Sequence, residues 1–202
     1  EKMVAMIHYA TLKKVPHMTH SSSTPNWLST PEGQGIKAEL LPWMMYRGSL
    51  TNHLTKQSGK PCQVKVLKQA WELPHKDERH FLKLDKDEKV FVREVVLYGE
   101  KDWIYARSIF PKAVMQAHEE FLKIENRSLG EFLFKSKAIK RGVMEFANIK
   151  KGHYLYTQAQ ERSLERQETF WARRSHFLVD ETNIIVCEVY LPSVLELLFE
   201  AR

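Results

Sequence analysis

Charged residues lie inside two strand-like segments that are otherwise mostly apolar. The segment NIIVCEVYLP, residues 183–192, carries Glu188 among seven apolar residues, and VFVREVVLY, residues 90–98, carries Arg93. Side chains two positions apart on a strand share a face, so each charge shares its face with apolar neighbours. Burying even a neutral polar group without a partner costs roughly 2–7 kcal/mol. Each of the two charges therefore requires a partner, a ligand or solvent.

Three interpretations of these charges remain open from the residues alone. Arg93 and Glu188 form a buried salt bridge, which is weak evidence of stabilisation. Alternatively, the faces are reversed, and either Arg93 or its neighbour Glu94 is solvated. In the third interpretation the two charges are held apart and grip a polar ligand. A guanidinium group offers two parallel donors to a carboxylate, and a glutamate in apolar surroundings can share a hydrogen bond with a hydroxyl.

Other motifs for catalysis or metal binding are missing or incomplete. The sequence has no GxSxG, HExxH or P-loop motif, and GQGIKA lacks the third glycine of a dinucleotide-binding loop. His17 and His20 in HMTH have no third ligand nearby, so no metal site is predicted. Arg173 and Arg174 in WARRS face opposite sides of a strand and make a poor phosphate-binding patch.

The composition indicates a soluble globular protein of one domain. The chain has 202 residues, of which 43% are hydrophobic and 28% charged, and a net charge of +6. The positive charge suits an anionic partner but selects none, and a nucleic-acid-binding function rests on it alone. Cys62 and Cys187 do not form a disulfide framework, which favours the cytoplasm. No apolar run approaches the roughly 18 residues that span a bilayer, so no membrane insertion is expected.

The order of elements predicts an α+β fold with a single, mostly antiparallel sheet and helices inserted or packed on one side. Residues 1–35 are rich in Ser, Thr and Pro and are predicted to be a mobile leader before a domain at 36–202. Alternating patterns predict strands at 62–73, 88–100, 102–111, 171–179 and 184–191. Helices are predicted at 38–46, from the N-cap Ser49 to about 56, at 112–125, after the capping pair Ser128 and Glu131, and at 157–167.

Seven motifs, taken together, resemble those of the chorismate pyruvate-lyases, bacterial enzymes that make 4-hydroxybenzoate for ubiquinone. They occur in order over residues 41–192, approximately. They are LLPWMMYRGSLTNHL, VFVREVVLYG, WIYARSIFP, SLGEFLF, RGVMEFA, FWARRSHF and CEVYLP. Each motif is weak alone, but seven in sequence make the resemblance specific.

The resemblance implies a single-domain monomer without metal or cofactor, with an enclosed site beneath helical flaps on an antiparallel sheet. It implies that Arg93 binds the ring carboxylate of the substrate and that Glu188 contacts the ring hydroxyl. The backbone N–H groups of Leu50 and Leu129 are expected to bind the same carboxylate as Arg93. Arg107, on the neighbouring strand, is expected to meet the second carboxylate.

The expected role of the two leucines has a physical basis in their positions. Leu50 and Leu129 each follow a serine that is suited to cap a helix, so each lies in the first helical turn. Backbone N–H groups there have no partner within the helix, and the helix dipole favours an anion. Packing of the two side chains in the core is the simpler alternative, and it is compatible with this role.

The chemistry implied by the resemblance requires little of the protein beyond orientation and desolvation. Chorismate is a dianion whose ring becomes aromatic when pyruvate leaves and the C4 proton is lost. Either Glu188 removes that proton, or the enolpyruvyl group takes it internally while Glu188 holds the hydroxyl. The rival class is an effector-binding module, because GntR-like transcription regulators share this fold. Their winged-helix domain does not fit the 35 Ser- and Pro-rich residues before the domain here.

Overall fold

A computed structural model describes residues 24–31, 35–135 and 139–200 of the chain. Six strands form one antiparallel sheet; their bounds are β1 Gln63–Glu72, β2 Val90–Tyr98, β3 Asp102–Phe110, β4 Lys140–Lys150, β5 Thr169–Val179 and β6 Thr182–Tyr190. The helices are α1 Leu41–Met45, α2 Leu50–Ser58, α3 Lys76–Leu82, α4 Lys112–Ala117, α5 Leu129–Lys135, α6 Tyr154–Gln160 and α7 Ser193–Glu200, with a 3-10 helix at Glu119–Lys123. The predicted α+β class and single antiparallel sheet are confirmed.

The sheet consists of two three-stranded meanders placed edge to edge. The strand order is β1-β2-β3-β6-β5-β4, so β3 and β6 join the two halves at the centre. The hairpin between β5 and β6 turns at Asp180, which has a φ of 51°. Aspartate tolerates this left-handed conformation better than most residues. The turn thus lies in the segment DETN, between the predicted strands at 171–179 and 184–191.

Helices cover both faces of the sheet, which corrects the prediction that they pack on one side. On one face, here called the cavity face, α1, α2 and α7 pack over one end of the sheet and α4 and α5 over the other. On the opposite face, α6 and the segment around α3 cover β3, β5 and β6 with apolar side chains. The sequence patterns did not predict α3, because its residues KDERHFL are mostly polar and bury little.

Several elements differ from the predicted ones for local reasons. The predicted helix at 112–125 is interrupted at His118, where φ is −133°, and continues as the 3-10 helix. The predicted helix at 157–167 is observed as α6, Tyr154–Gln160, and so ends seven residues before the predicted end. It begins earlier because the His153 side chain caps α6 by accepting a hydrogen bond from the Leu155 N–H. The strand β4 and the helix α7 were not predicted.

Part of the predicted leader contacts the domain. Leu28 exchanges two backbone hydrogen bonds with Phe146 at 2.8 and 3.0 Å, and the Trp27 indole N–H donates to Asp77 Oδ2 at 3.2 Å. Residues 1–23, which include His17 and His20, and residues 32–34 lie outside the described residues. The domain boundary at residue 35 stays a prediction. No helix in the described part of the chain is long and apolar enough to cross a membrane.

Candidate active site

A buried cavity lies on the cavity face, between the sheet and the first turns of α2 and α5. The volume open to the centre of a water molecule is about 50 Å³, enough for a few waters at roughly 10–15 Å³ each. Its lining combines apolar side chains with a few polar ones; it comprises Gly48, Leu50, Thr51, Val64, Arg93, Val95, Leu97, Ala106, Ser108, Ser128, Leu129, Gly130, Leu133, Arg141, Phe177, Val186 and Glu188. The structure thus brings four of the five predicted site residues to one cavity.

Arg93 and Glu188 share this face without touching each other. In the strand register Arg93 pairs with Ser108, and Ser108 pairs with Val186, which is two residues from Glu188. Two strand spacings and two residues along a strand separate the two Cα atoms by about 12 Å. The salt bridge between Arg93 and Glu188 is therefore excluded. The reversed-face alternative is excluded too, because Arg93 and Glu94 are both buried.

Arg93 is buried with its charge balanced by no carboxylate among the described residues. The residue is 2% exposed, and its Nη2 donates to the backbone carbonyls of Glu125 and Arg127 at 2.8 and 3.0 Å. The Nε atom has no hydrogen-bond partner in the described part of the chain. Burial lowers the pKa of Arg93 to about 10, so the side chain remains a cation at neutral pH. Such a group in a cavity wall suits an anionic ligand.

Glu188 is held in place by Arg173, a residue whose role the sequence did not reveal. Arg173 is fully buried, and its Nε donates to Glu188 Oε2. Its Nη1 donates to the carbonyls of Trp43 and Met44 at 3.3 and 3.2 Å, and to that of Tyr46. Burial alone would lower the pKa of Arg173, but the charge of Glu188 opposes this and the pKa lies above its ordinary value. Arg173 thus fixes Glu188 relative to the end of α1.

The starts of α2 and α5 meet beside Arg93. Ser49 and Ser128 each accept a hydrogen bond from the backbone N–H three residues later, as predicted for N-caps. The hydroxyls of Thr51 and Ser128 lie 2.8 Å apart and join the two helix starts. The backbone N–H groups of Leu50 and Leu129 donate to no acceptor among the described residues. Both leucine side chains are buried. Each leucine therefore packs its side chain in the core while its backbone N–H remains available to a ligand.

Arg107 does not line the cavity, and its expected position is corrected. Ala106 and Ser108 occupy the cavity side of β3, so the alternation of the strand turns Arg107 to the opposite face. There it forms two hydrogen bonds with Glu78, at 2.7 and 3.0 Å, and one with Glu94 at 2.5 Å. Burial alone would lower the pKa of Arg107, but these carboxylates raise it well above its ordinary value.

Arg141 is a second cation of the cavity wall that the sequence analysis missed. It lies on β4, the strand that the sequence patterns did not predict, and donates to the Arg47 carbonyl at 2.6 Å and to Ser175 Oγ at 2.7 Å. Burial, the largest influence, lowers the pKa of Arg141 to about 10, and the charge of Glu188 partly opposes this. Arg141 is therefore also protonated at neutral pH.

The arrangement suits a small anion that carries an apolar ring. Val95, Leu97, Phe177 and Val186 form apolar walls, while the charged groups lie at the ends and sides of the cavity. Such a cavity desolvates its ligand and orients it through a few polar contacts. In the described part of the chain no group of three or more His, Cys, Asp or Glu side chains is arranged to hold a metal ion.

Solved structures show the class of fold to which this arrangement belongs. The effector domain of PhnF from Mycobacterium smegmatis has a TM-score of 0.51 and 12% identity, over 72% of this chain and 90% of that chain. A PhnF C-terminal domain has a TM-score of 0.52 and 11% identity, over 64% and 82%. At these identities the likeness shows the fold alone. The protein has the α+β fold of these two PhnF domains.

The sequence comparisons then identify the family. A family model described as chorismate lyase matches residues 22–198. The "Probable chorismate pyruvate-lyase" of Nitrosospira multiformis is 32% identical over 169 residues, 83% of this chain and 94% of that protein. The protein of the same name from Aromatoleum aromaticum is 34% identical over 175 residues, 85% of this chain and 94% of that protein. The chain belongs to the chorismate lyase family.

Proposed function

We propose that this protein is a chorismate pyruvate-lyase, which converts chorismate to 4-hydroxybenzoate and pyruvate for ubiquinone biosynthesis. It acts in the cytoplasm as a monomer, without a metal or cofactor. The observation that carries the proposal is the separation of Arg93 and Glu188 across one buried, largely apolar cavity. A para-substituted aromatic acid has complementary groups at its two ends.

The binding mode follows from the groups at the two ends of the cavity. The ring carboxylate pairs with Arg93 and accepts hydrogen bonds from the N–H groups of Leu50 and Leu129. Hydrogen bonds between ionised groups in a desolvated site are short and strong, and the three donors supply the charge and geometry for one carboxylate. At the other end, Glu188 accepts a hydrogen bond from the hydroxyl on ring carbon C4.

The reaction requires loss of the C4 proton and cleavage of the bond between C3 and the enolpyruvyl oxygen. The electrons of the C4–H bond complete the aromatic ring, and those of the C3–O bond leave with pyruvate. Two routes for the proton fit the cavity: transfer to Glu188, or internal transfer to the enolpyruvyl methylene carbon. In both routes Arg173 keeps Glu188 beside C4. Aromatisation supplies the driving force, so orientation and exclusion of water are the main contributions of the protein.

Glu188→Gln separates the two routes, because glutamine keeps a hydrogen bond to the hydroxyl but is not a base. General-base catalysis contributes about 10²- to 10⁴-fold, so the variant loses turnover on that scale if Glu188 takes the proton. A loss of less than about tenfold in kcat indicates internal transfer. Arg166→Gln, which changes an exposed residue, serves as the matched surface control.

The central test is release of pyruvate from chorismate by the purified full chain, measured in a coupled assay with EDTA present. We expect stoichiometric pyruvate and 4-hydroxybenzoate. The second candidate function is a non-catalytic effector-binding module, which the fold shared with the PhnF domains favours. Binding of chorismate or 4-hydroxybenzoate without any pyruvate release would select that alternative.

A further inference from the structure

The charges along the cavity floor extend past Glu188 to a second guanidinium group. The strand register aligns Arg93, Ser108, Val186 and Ser175 in one row across β2, β3, β6 and β5. Ser175 accepts a hydrogen bond from Arg141, so the Arg141 guanidinium lies at the far end of this row. Three strand spacings separate Arg93 from Ser175, about 14 Å between Cα atoms. The two cations thus flank the floor that Ser108 and Val186 form.

We propose that Arg141 binds the second carboxylate of the substrate, that of the enolpyruvyl group, and makes the cavity selective for a dicarboxylate. The inference rests on the proposed function and deepens it. With the ring carboxylate at Arg93 and the C4 hydroxyl at Glu188, the enolpyruvyl group on C3 lies off the ring axis beside Glu188. Arg141 approaches that end of the cavity from the β5 side. It takes the role that the sequence had suggested for Arg107.

The contacts of Arg141 orient its guanidinium group towards this task. The carbonyl of Arg47 and the hydroxyl of Ser175 accept hydrogen bonds from the Arg141 guanidinium and help to position it. The guanidinium carbon lies 5.2 Å from the centre of the Phe177 ring, which also lines the cavity. A planar guanidinium fixed in this way is preorganised for a carboxylate.

The position also explains how the product can leave once the bond is broken. The product 4-hydroxybenzoate keeps only the carboxylate at Arg93, so cleavage removes the Arg141 contact from the ring. Pyruvate carries that carboxylate away as a separate small anion. Arg141 therefore contributes to binding of the substrate and not of the aromatic product, and this difference is measurable.

The test compares two ligands in Arg141→Gln and wild type. We expect the KM for chorismate to rise about 10- to 100-fold, as for loss of a hydrogen bond between charged groups. The Kd for 4-hydroxybenzoate, measured by calorimetry, should change less than about threefold. Arg141→Lys keeps the charge and should give an intermediate KM with an unchanged Kd. Arg166→Gln, at an exposed position, should match wild type with both ligands.

Two results would overturn the inference. Equal weakening of the binding of chorismate and of 4-hydroxybenzoate would mean that Arg141 only supports the cavity wall. An unchanged KM for chorismate would mean that Arg141 does not bind the second carboxylate. If Arg141→Gln does not fold, the same comparison of ligands in Arg141→Lys decides between these outcomes. If the wild type releases no pyruvate, the proposed function fails. The binding of chorismate and 4-hydroxybenzoate by calorimetry then decides the role of Arg141 independently.

Discussion

Arg93 on the cavity face and the arginines of the opposite face are buried in different ways. On the opposite face Arg107 contacts Glu78 and Glu94, and Arg174 contacts Glu145 at 2.6 and 2.8 Å, so each buried cation has carboxylate partners. On the cavity face Arg173 pairs with Glu188, but Arg93 donates to two backbone carbonyls and, among the described residues, to no carboxylate. The same strands form both faces, because successive side chains along each strand point to opposite sides of the sheet.

This difference indicates which charges hold the fold and which await a ligand. A buried ion pair roughly balances its own cost of desolvation, whereas a buried ion without a counterion remains destabilising. The unbalanced charge of Arg93 fits the proposal that a bound anion completes its pairing. The carboxylate network of the opposite face needs no ligand. The comparison predicts that removing Arg107 mainly changes stability and that removing Arg93 mainly changes binding.

The largest effect is expected for Arg107→Met. Removing this cation leaves Glu78 and Glu94 buried without a counterion, and loss of one partner from a buried pair costs about 3–5 kcal/mol. Urea denaturation should show this loss in the free energy of unfolding. Adding Glu78→Gln to the same chain should restore part of it. A loss below about 1 kcal/mol would mean that the network is solvated and would break the comparison.

The matched change on the cavity face, Arg93→Met, should reverse the pattern. It leaves no carboxylate without a counterion, so we expect the free energy of unfolding to fall by less than about 1.5 kcal/mol. The value of kcat/KM for chorismate should fall about 100-fold or more, because the ring carboxylate is left buried without its partner. Steady-state kinetics and urea denaturation on the same preparation measure both. Equal stability losses for Arg93→Met and Arg107→Met would contradict the distinction between the faces.

A smaller effect is expected for Arg173→Lys, because Arg173 acts through Glu188. Lysine keeps the charge but cannot contact Glu188 and the α1 carbonyls at the same time. We expect kcat to fall about tenfold, as for loss of one oriented charged contact, with less than threefold change in the Kd of 4-hydroxybenzoate. The kcat of Arg173→Met should be lower than that of Arg173→Lys. A purely structural role predicts that Kd and kcat change together.

Alternation within single strands predicted that Arg93 and Glu188 each lie on an apolar face, and the family resemblance then assigned both to one site. It could not predict the partners of those residues, because they depend on pairing between strands. Arg173 meets Glu188 only through the register of β5 with β6. Arg107 was expected at the site because it lies on the neighbouring strand, but the face it occupies depends on the β2–β3 register, which shifts between Leu97 and Tyr98. Without such pairing information, no local pattern identified these contacts.

The smallest expected effect is a change of stability with pH that arises from two histidines on the opposite face. Burial is the largest influence on the pKa of His75 and of His153, and it lowers both below the ordinary value of 6.5. The unfolded chain therefore binds more protons below pH 6.5, and stability should fall as the pH falls from 7 towards 5. Each histidine contributes at most about 1.4 kcal/mol per pH unit.

The substitution His153→Asn tests this contribution, because asparagine keeps an N-cap acceptor for the Leu155 N–H and does not titrate. Urea denaturation at pH 7, 6 and 5 should show a shallower loss of stability for the variant than for wild type. His118 provides a control of opposite sign: its hydrogen bond to Asp180 raises its pKa, so its contribution is present at low pH and lost as the pH rises. If His153→Asn keeps the wild-type slope, His153 is protonated within the fold. The opposite face would then hold one more cation than the comparison assigns to it.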